Sequence, residues 1–424
     1  MTENTQVAAL SGQAEQGAEL AGAAADPPWP ATPAAASTVI RRIGQLVTND
    51  PAYGPGPLGI LVDAALVLVG DRVAWIGPDA QAPPADLAVD AQGRAVLPGW
   101  VDSHTHLVYA GDRSAEFTAR MAGRTYQAGG IMTTVAATRA APEEELARLL
   151  GVRLAEMVAG GTTCVETKTG YGLTVPDEAR SARLARQIGV DAVTYLGAHV
   201  VPPEYADEPD SYVDLVCGPM LDAVDAQIDF VDVFCEAGAF DDAQARRVLA
   251  AGARKGRGLK IHGNQLKAGP GVLIAVDTGA VSVDHCTFLD RRDIDALSGS
   301  TTVATLLPAC DLSTRSPAAP ARALLDAGVR VALASDANPG TSNTSSMNLV
   351  VALGVLLNEM TAEEAVFAAT AGGAMALQRT DVGHLSPGAR ADVHMIDAPR
   401  MDYLAYRIGM PLTAAVWHRG DRVR

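Results

Sequence analysis

Eight short apolar runs alternate with helix-forming stretches through the middle of the chain, and this alternation most constrains the fold. The runs are rich in β-forming residues, and most are followed by stretches rich in Ala, Arg and Glu. Strands that alternate with helices favour a parallel sheet, and eight repeats favour a closed barrel over an open sheet. The sequence therefore predicts a (β/α)8 TIM-like barrel over residues 99–381. The eight runs are Trp100–Ser103, Thr163–Val165, Ala192–Leu196, Val231–Phe234, Leu259–Ile261, Ala280–Val283, Val303–Leu307 and Val329–Ala334.

Two β-rich segments, residues 37–98 and 382–424, flank the repeats. Both contain strand-like runs separated by turn signals such as Gly-Asp and Pro-Gly. We expect these N- and C-terminal segments to pair into one small β-sandwich domain. Residues 1–36 hold few large apolar side chains, so they cannot offset the entropy lost on ordering, and we expect a disordered tail there.

Composition and charge exclude several kinds of partner. The net charge is −16, and no Lys/Arg-rich run offsets it, so a nucleic-acid partner is not expected. No apolar run reaches the ~18 residues of a membrane span, and the N-terminus lacks the pattern of a secretory signal. The five cysteines are widely spaced without a CxxC pair, which indicates free thiols in a reducing compartment. We therefore expect a cytoplasmic protein without membrane contact.

Titratable side chains follow seven of the eight apolar runs. In a barrel of this type all eight strand ends meet at one mouth, where active sites lie. Five of the eight histidines of the chain are at these positions. The sequence therefore predicts a site at the carboxyl ends of the strands. The titratable residues at the ends are His104 and His106, Glu166 and Lys168, His199, Glu236, His262, His285, and Asp336.

The spacing of His104 and His106 is the sharpest local feature. Side chains alternate along a strand, so both imidazoles point to one face, where together they can chelate a divalent cation. A histidine pair in a polar core is the alternative interpretation. Together with His262 and Asp336, the pair favours a metal site of three imidazole nitrogens and one carboxylate oxygen, which suits Zn²⁺ and also admits Fe²⁺ or Mn²⁺.

Other polar residues bear on the number of metal ions. A second metal usually needs a bridging ligand, often a modified lysine, at the fourth strand, where this chain has Glu236. One metal ion is therefore expected rather than two. Lys168 is interpreted as an ion-pair partner at the barrel rim and not as a base.

Several motifs resemble a known family. The segment Val-Asp-Ser-His104-Thr-His106-Leu-Val, with His262 and Ser335-Asp336, resembles the amidohydrolase superfamily. Within that superfamily, further in-order segments between about residues 60 and 420 resemble the imidazolonepropionase family. These segments are Leu107-Val-Tyr-Ala-Gly-Asp-Arg113, Thr134-Val-Ala-Ala-Thr-Arg139, Glu166-Thr-Lys-Thr-Gly-Tyr171, Leu196-Gly-Ala-His199, Pro202-Pro-Glu-Tyr205, Val233-Phe-Cys-Glu236, Ile261-His262-Gly-Asn-Gln265 and Asp336-Ala-Asn338-Pro-Gly340-Thr341.

The resemblance implies an enzyme that hydrolyses the cyclic amide of 4-imidazolone-5-propanoate to N-formimidoyl-L-glutamate in histidine degradation. Its partner would be this small anionic heterocycle, and we expect the chain to form a homodimer. One divalent metal ion, zinc or iron, would be held by His104, His106, His262 and Asp336. The implied catalytic residues are Asp336, His285 and Gln265. The implied substrate contacts are Arg113, Tyr171, His199, Gln265, Asn338, Gly340 and Thr341.

Chemical roles can be assigned to three of these residues. Asp336 can take a proton from the attacking water and pass it to the leaving ring nitrogen. His285 would lie beside the metal site and stabilise the oxyanion. Arg113 is a planar bidentate donor, which suits the propionate carboxylate of the substrate.

Two segments depart from the family pattern, and two other functions remain open. Residues 124–131 are shorter than usual and residues 309–315 lack the usual aromatics, so both are expected to reshape the pocket wall. A deaminase of an amino-heterocycle commonly has Glu three residues after the fifth-strand histidine, where this chain has Gln265. A metal-free barrel acting as a scaffold is the other alternative, against which the intact ligand set argues.

Overall fold

The computed structural model describes residues 36–123, 130–236 and 238–424. The predicted tail therefore falls outside the described residues except for Ala36, as does the 124–129 part of the shortened segment. Five strands precede the barrel. They are β1 (Ser37–Leu46), β2 (Leu61–Val69), β3 (Arg72–Pro78), β4 (Leu87–Asp90) and β5 (Ala95–Pro98).

Eight parallel strands then form the barrel, in sequential order from β6 to β13. Each predicted apolar run overlaps one of them. The first and eighth strands are joined just beyond their ends, where Thr105 forms a parallel bridge with Ala337. The barrel strands are β6 (Trp100–Asp102), β7 (Thr162–Lys168), β8 (Ala192–Ala198), β9 (Phe230–Cys235), β10 (Gly258–Gly263), β11 (Ser282–His285), β12 (Val303–Leu306) and β13 (Val331–Leu333).

The helices pack mostly around the barrel, and local capping residues in the sequence mark where they begin and end. Helix α4 begins where the Thr174 side chain accepts a hydrogen bond from the Asp177 amide, and it ends at the left-handed Gly189. Helix α7 begins with a capping box formed by Asp241 and Gln244. The helices are α1 (Ser114–Met121), α2 (Ile131–Ala140), α3 (Glu143–Ala159), α4 (Val175–Ile188), α5 (Pro209–Leu215), α6 (Leu221–Val224), α7 (Asp242–Arg254), α8 (Gly271–Thr278), α9 (Arg291–Ser298), α10 (Pro308–Thr314), α11 (Ala321–Asp326), α12 (Met347–Leu356), α13 (Ala362–Phe367), α14 (Gly373–Ala376) and α15 (Tyr403–Tyr406).

Three strands after the barrel, β14 (Val393–Ile396), β15 (Thr413–His418) and β16 (Asp421–Arg422), return to the N-terminal strands. Strand β14 pairs antiparallel with β5, so both ends of the chain form one eight-stranded sheet with its own apolar core. The predicted fold, a (β/α)8 barrel with a small β domain built from both ends, is confirmed. The proposed domain limits at residues 37–98, 99–381 and 382–424 stay a prediction.

A buried arginine joins the small sheet to the barrel. Arg390 lies just before β14, and its guanidinium is paired with Asp191 at the start of β8, both side chains being 2% exposed. The same guanidinium donates to the carboxylate of Asp392 and to the Thr163 carbonyl oxygen. Burial alone would raise the pKa of Asp191, but the charge and hydrogen bond of Arg390 hold that pKa below its usual range. The two domains therefore share one compensated charge cluster.

We predict that Arg390→Met destabilises the chain by about 3–5 kcal/mol, because it leaves the buried carboxylates of Asp191 and Asp392 without their nearest cation. The arginines that remain near Asp191, Arg379 and Arg419, lie 3.8 and 3.7 Å away. Urea unfolding at neutral pH measures this loss of free energy. The matched control is Arg41→Met, which removes an exposed pair with Asp79 and should cost at most about 1 kcal/mol. Equal losses in the two variants would contradict the role given to Arg390.

Candidate active site

A cavity lies at the carboxyl ends of the barrel strands, and the empty space within it and at its open mouth is about 690 Å³. All the predicted site residues line it except His104, which is fully buried beside it. The sequence predicted that the 124–131 segment, which contains Ile131, lies at the pocket wall, but it did not predict the other large apolar residues there, Val200, Phe234 and Leu266. The cavity is lined by His106, Arg113, Ile131, Tyr171, His199, Val200, Phe234, Gly238, Ala239, His262, Gln265, Leu266, His285, Asp336, Asn338, Gly340 and Thr341.

Three histidines converge at the bottom of this cavity. His104 and His106 follow β6 and His262 lies on β10, with potential ligand atoms within 4.8 Å of one another. The Nδ1 atom of His104 is 2.6 Å from Asp284 Oδ2, and that of His262 is 3.1 Å from Asp232 Oδ1. A carboxylate only accepts hydrogen bonds, so in both rings Nδ1 carries the proton and Nε2 keeps its lone pair. Both Nε2 atoms are buried without a hydrogen-bond partner among the described residues.

Asp336 completes this group from the end of the eighth strand. Its Oδ1 atom lies 3.5 Å from His104 Nε2 and 3.6 Å from His106 Nε2. Its backbone is left-handed, with φ of 52°, and its amide donates to the His104 carbonyl oxygen at 3.0 Å. Burial raises the pKa of the carboxyl to about 7. Three unprotonated imidazole nitrogens and one carboxylate oxygen fit one divalent cation such as Zn²⁺.

A charged network inside the barrel supports the histidines from below. The Lys168 ammonium lies 2.9 Å from Glu166 Oε1, 3.0 Å from Asp232 Oδ2 and 3.6 Å from Asp284 Oδ2, and all four side chains are 0% exposed. Burial alone would lower the pKa of Lys168, but the charges of these carboxylates raise it. Lys168 is thus an ion-pair partner as predicted, but the expected position at the rim is wrong. The side chain points into the barrel, because it belongs to β7 itself and not to the loop beyond it.

Asp232 and Asp284, which orient the two histidines, were missed by the sequence reasoning. Asp232 lies inside the otherwise apolar strand β9, Asp284 directly precedes His285 in β11, and both are fully buried. An acidic residue within such a strand was the available signal, because a buried carboxylate needs a positive or hydrogen-bonding partner.

His199 and Tyr171 form one side of the pocket. The His199 Nδ1 atom lies 3.0 Å from the Gly170 carbonyl oxygen, so Nδ1 carries the proton and Nε2 is left as an acceptor. Burial lowers the pKa of His199 to about 3, so its imidazole is neutral. Its ring stacks on His106 with centroids 5.3 Å apart, and the Tyr171 ring lies 5.4 Å away. Gly170 is needed here because φ is +107° and a Cβ would lie 2.9 Å from His199 Nδ1.

Arg113 and the loop after Asp336 form the opposite side. The Arg113 guanidinium is held by two hydrogen bonds to Glu116, of 2.8 and 2.7 Å, and its side chain is 4% exposed. A Cβ on Gly340 would lie 2.4 Å from Arg113 Nη1, so a side chain at this position would displace the guanidinium. Asn338 Oδ1 accepts from the amides of Gly340 and Thr341 at 2.8 Å each, which fixes the loop. Thr341 Oγ1 donates to Asp336 Oδ2 at 3.2 Å.

Gln265 and His285 lie between these two sides. The Gln265 backbone amide donates to Glu236, and its side-chain amide lies 3.7 Å from the sulfur of Cys310. Cys310 comes from α10, inside the 309–315 segment that departs from the family pattern. His285 has a φ of 81°, and its ring centroid lies 5.3 Å from that of His262. The structure therefore brings every predicted site residue to one cavity or to its floor.

Comparison with known proteins identifies the family. The model of the amidohydrolase family matches residues 95–418. An imidazolonepropionase from Saccharopolyspora erythraea is 61% identical over 391 residues, which cover 91% of this chain and 99% of the relative. The chain belongs to the imidazolonepropionase family of amidohydrolases. A second imidazolonepropionase, from Streptomyces griseus subsp. griseus, is 57% identical over 91% of this chain and 99% of its own length.

Solved structures share the amidohydrolase fold of this imidazolonepropionase-family chain. An adenosine deaminase from Xanthomonas campestris with bound zinc has a TM-score of 0.68 at 21% identity, over 91% of this chain and 92% of its own. An atrazine chlorohydrolase from Arthrobacter aurescens, complexed with zinc, has a TM-score of 0.66 at 19% identity, over 91% and 94% of the two chains. Within the described ranges, none of the helices is both long enough and apolar enough to cross a membrane.

We predict that Asp284→Asn weakens metal binding by about 10- to 100-fold, because the amide no longer fixes the His104 ring as a carboxylate does. Competition with a chromophoric chelator measures the affinity of purified protein for zinc. Asp295→Asn, on the exposed side of α9, is the control and should bind zinc as the wild type does. Unchanged affinity in the Asp284 variant would show that this carboxylate does not support a metal ligand.

Proposed function

We propose that the chain hydrolyses the cyclic amide of 4-imidazolone-5-propanoate to N-formimidoyl-L-glutamate. The observation that carries the proposal is the cluster of His104, His106, His262 and Asp336 at the floor of the cavity, in a chain of this family. The small-molecule substrate would enter from the open side of that cavity. A homodimer and a cytoplasmic location are part of the same proposal, the latter supported by five cysteines that are all free.

The four clustered residues would hold one divalent metal ion, zinc or iron. The fit rests on the two orphaned Nε2 atoms and on the approach of Asp336 Oδ1 to within 3.6 Å of His106. When bound, such an ion polarises the scissile carbonyl group and lowers the pKa of water towards ~7. The buried charge of Lys260, for Asp284, and that of Lys168, for both Asp232 and Asp284, would keep the two aspartates ionised. The ring tautomers that metal binding needs would thereby be kept.

Asp336 would transfer the proton, and His285 would stabilise the negative charge that develops on the carbonyl oxygen. Asp336 accepts the proton of the attacking water and delivers it to the ring nitrogen that leaves, while Thr341 orients its second oxygen. Burial lowers the pKa of His285 well below its usual range, so it acts as a neutral imidazole. A neutral imidazole has one N–H, which would be donated to the carbonyl oxygen as it becomes negative. Gln265 would contact the ring through its amide.

The remaining residues would recognise the substrate. His199 keeps a lone pair on Nε2, so it would accept a hydrogen bond from a ring N–H, and the Tyr171 side chain would contact the ring edge. The Arg113 guanidinium, held in place by Glu116, would bind the propionate carboxylate. On a chain of net charge −16, an anionic substrate needs such a local cation.

The two alternative functions fit the site less well. A deaminase needs a proton shuttle to the departing ammonia, and the Gln265 amide at the relevant position cannot titrate. A catalytically silent scaffold has no need of three buried imidazoles around a carboxylate, since unpaired polar groups are costly to bury. The hydrolysis of a cyclic amide uses every one of these groups.

We predict that His106→Ala abolishes metal retention and nearly all hydrolysis of the imidazolone, because it removes one of the four ligands. Elemental analysis of dialysed protein and the loss of imidazolone absorbance are the two measurements. Circular dichroism should show a folded barrel. Full activity of the variant without bound metal would end the proposed mechanism.

We predict that Arg113→Ala lowers kcat/KM for the imidazolone propionate on the order of a hundredfold, because a charge-assisted pair with the carboxylate is lost. Arg113→Lys keeps the charge but not the planar fork, so its kcat/KM should fall between those of the wild type and the alanine variant. Steady-state kinetics with purified variants measure this order.

A ring substrate without the carboxylate is the control for this prediction. Both Arg113 variants should lose little activity on it, because the contact never forms, and both should keep the metal content of the wild type. Equal losses on the two substrates would show that Arg113 has a structural role and that the carboxylate is bound elsewhere.

A further inference from the structure

Beside the three-histidine cluster lies a second group of potential metal ligands, which the proposed mechanism does not use as such. It consists of His285, Cys310 and Asp336, whose ligand atoms lie within 4.8 Å of one another. His285 is the last residue of β11, Cys310 lies in α10 just after β12, and Asp336 follows β13. All three side chains are buried, with relative exposures of 1–2%.

Two observations set this group apart from a chance approach of a cysteine. The His285 Nδ1 atom is buried and has no hydrogen-bond partner within the described part of the chain. The Cys310 sulfur, in turn, lies within 4.8 Å of a carboxylate oxygen of Asp336 and of a ring nitrogen of His285, so the three donors surround one point. An unsatisfied buried imidazole, a thiol and a carboxylate together are a donor set that binds zinc.

We propose that His285, Cys310 and Asp336 form a second, inhibitory site for a thiophilic divalent cation, distinct from the catalytic metal site. The two sites would share Asp336 as a bridging carboxylate. Oδ1 of Asp336 faces His104 and His106, and its other oxygen, Oδ2, accepts from Thr341 Oγ1. A carboxylate has enough lone pairs to serve a cation on each edge.

The donor types decide which cations this site would select. Thiolate and imidazole favour Zn²⁺, Co²⁺ and Cd²⁺, whereas Mg²⁺ and Ca²⁺ prefer oxygen ligands. Binding requires that the Cys310 thiol release its proton to solvent, and burial raises the pKa of this thiol well above its usual range. The cost of releasing this proton and the repulsion from the catalytic cation both lower the cation affinity of the second site below that of the first.

Inhibition follows from the identity of the ligands, and this part of the inference rests on the proposed function. A cation held by His285 withdraws the imidazole that would stabilise the oxyanion. The same cation occupies lone pairs of Asp336 that would otherwise accept the proton of water. Hydrolysis is therefore expected to fall as the second site fills and to recover when a mild chelator removes the excess cation.

Cobalt titration of the purified, full-length protein tests the second site without any activity measurement. Equilibrium dialysis counts the bound cations, and a thiolate-to-cobalt charge-transfer band in the near ultraviolet reports sulfur ligation. We expect about two equivalents in the wild type, with the band developing only with the second. Cys310→Ala should bind about one equivalent without the band. Cys164→Ala, which removes another fully buried thiol at the other end of the barrel, should behave as the wild type does.

The outcomes separate this inference from the proposed function. Binding of a single equivalent by the wild type, or a second equivalent that persists in Cys310→Ala, would overturn the second site. Cys310→Ser provides a near-isosteric variant if the alanine variant does not fold, and it too should lose the band and the second equivalent. Two equivalents with the band, but no imidazolone hydrolysis at one equivalent, would support the second site and reject the proposed function.

Discussion

The buried ammonium of Lys168 is the interaction on which the rest of the site depends. It is surrounded by Glu166, Asp232 and Asp284 inside the barrel, where no solvent screens these charges. Because the two aspartates stay ionised, each can accept the Nδ1 proton of one histidine and leave the opposite nitrogen available. The arrangement therefore runs from a cation in the core, through carboxylates, to imidazoles at the cavity floor. Removing the lysine would leave the buried carboxylates without this cation, and removing the carboxylates would leave the buried ammonium without its anions.

Backbone conformation at the strand ends then directs the side chains into the cavity. His285 and Asp336 both have positive φ values, 81° and 52°, which non-glycine residues rarely adopt. Such strain persists only where surrounding contacts enforce it, and here the Asp336 amide is bound to the His104 carbonyl oxygen. The same region closes the barrel, through the bridge of Thr105 with Ala337. The contacts that close the barrel therefore also position the residues of the site.

The two domains are also joined by charge and not only by apolar packing. The cluster of Arg390, Asp191 and Asp392 lies where the small sheet meets the amino-terminal ends of the barrel strands, opposite the cavity. This separation places a stabilising network at one end of the barrel and the reactive groups at the other, as is usual for this fold. Substitutions at this junction are therefore expected to lower the free energy of unfolding more than they affect catalysis.

The sequence by itself determined the barrel, the β-rich character of both chain ends and the residues at the strand ends, because alternation and strand-end chemistry are local patterns. It also indicated the pair His104 and His106, whose spacing of two fixes a common face. Only the tertiary structure decided that Lys168 points inward, that Asp232 and Asp284 orient the histidines, and that Cys310 approaches Asp336. Those relations join different strands, and the distance between residues on separate strands depends on how the barrel closes, which no local pattern encodes.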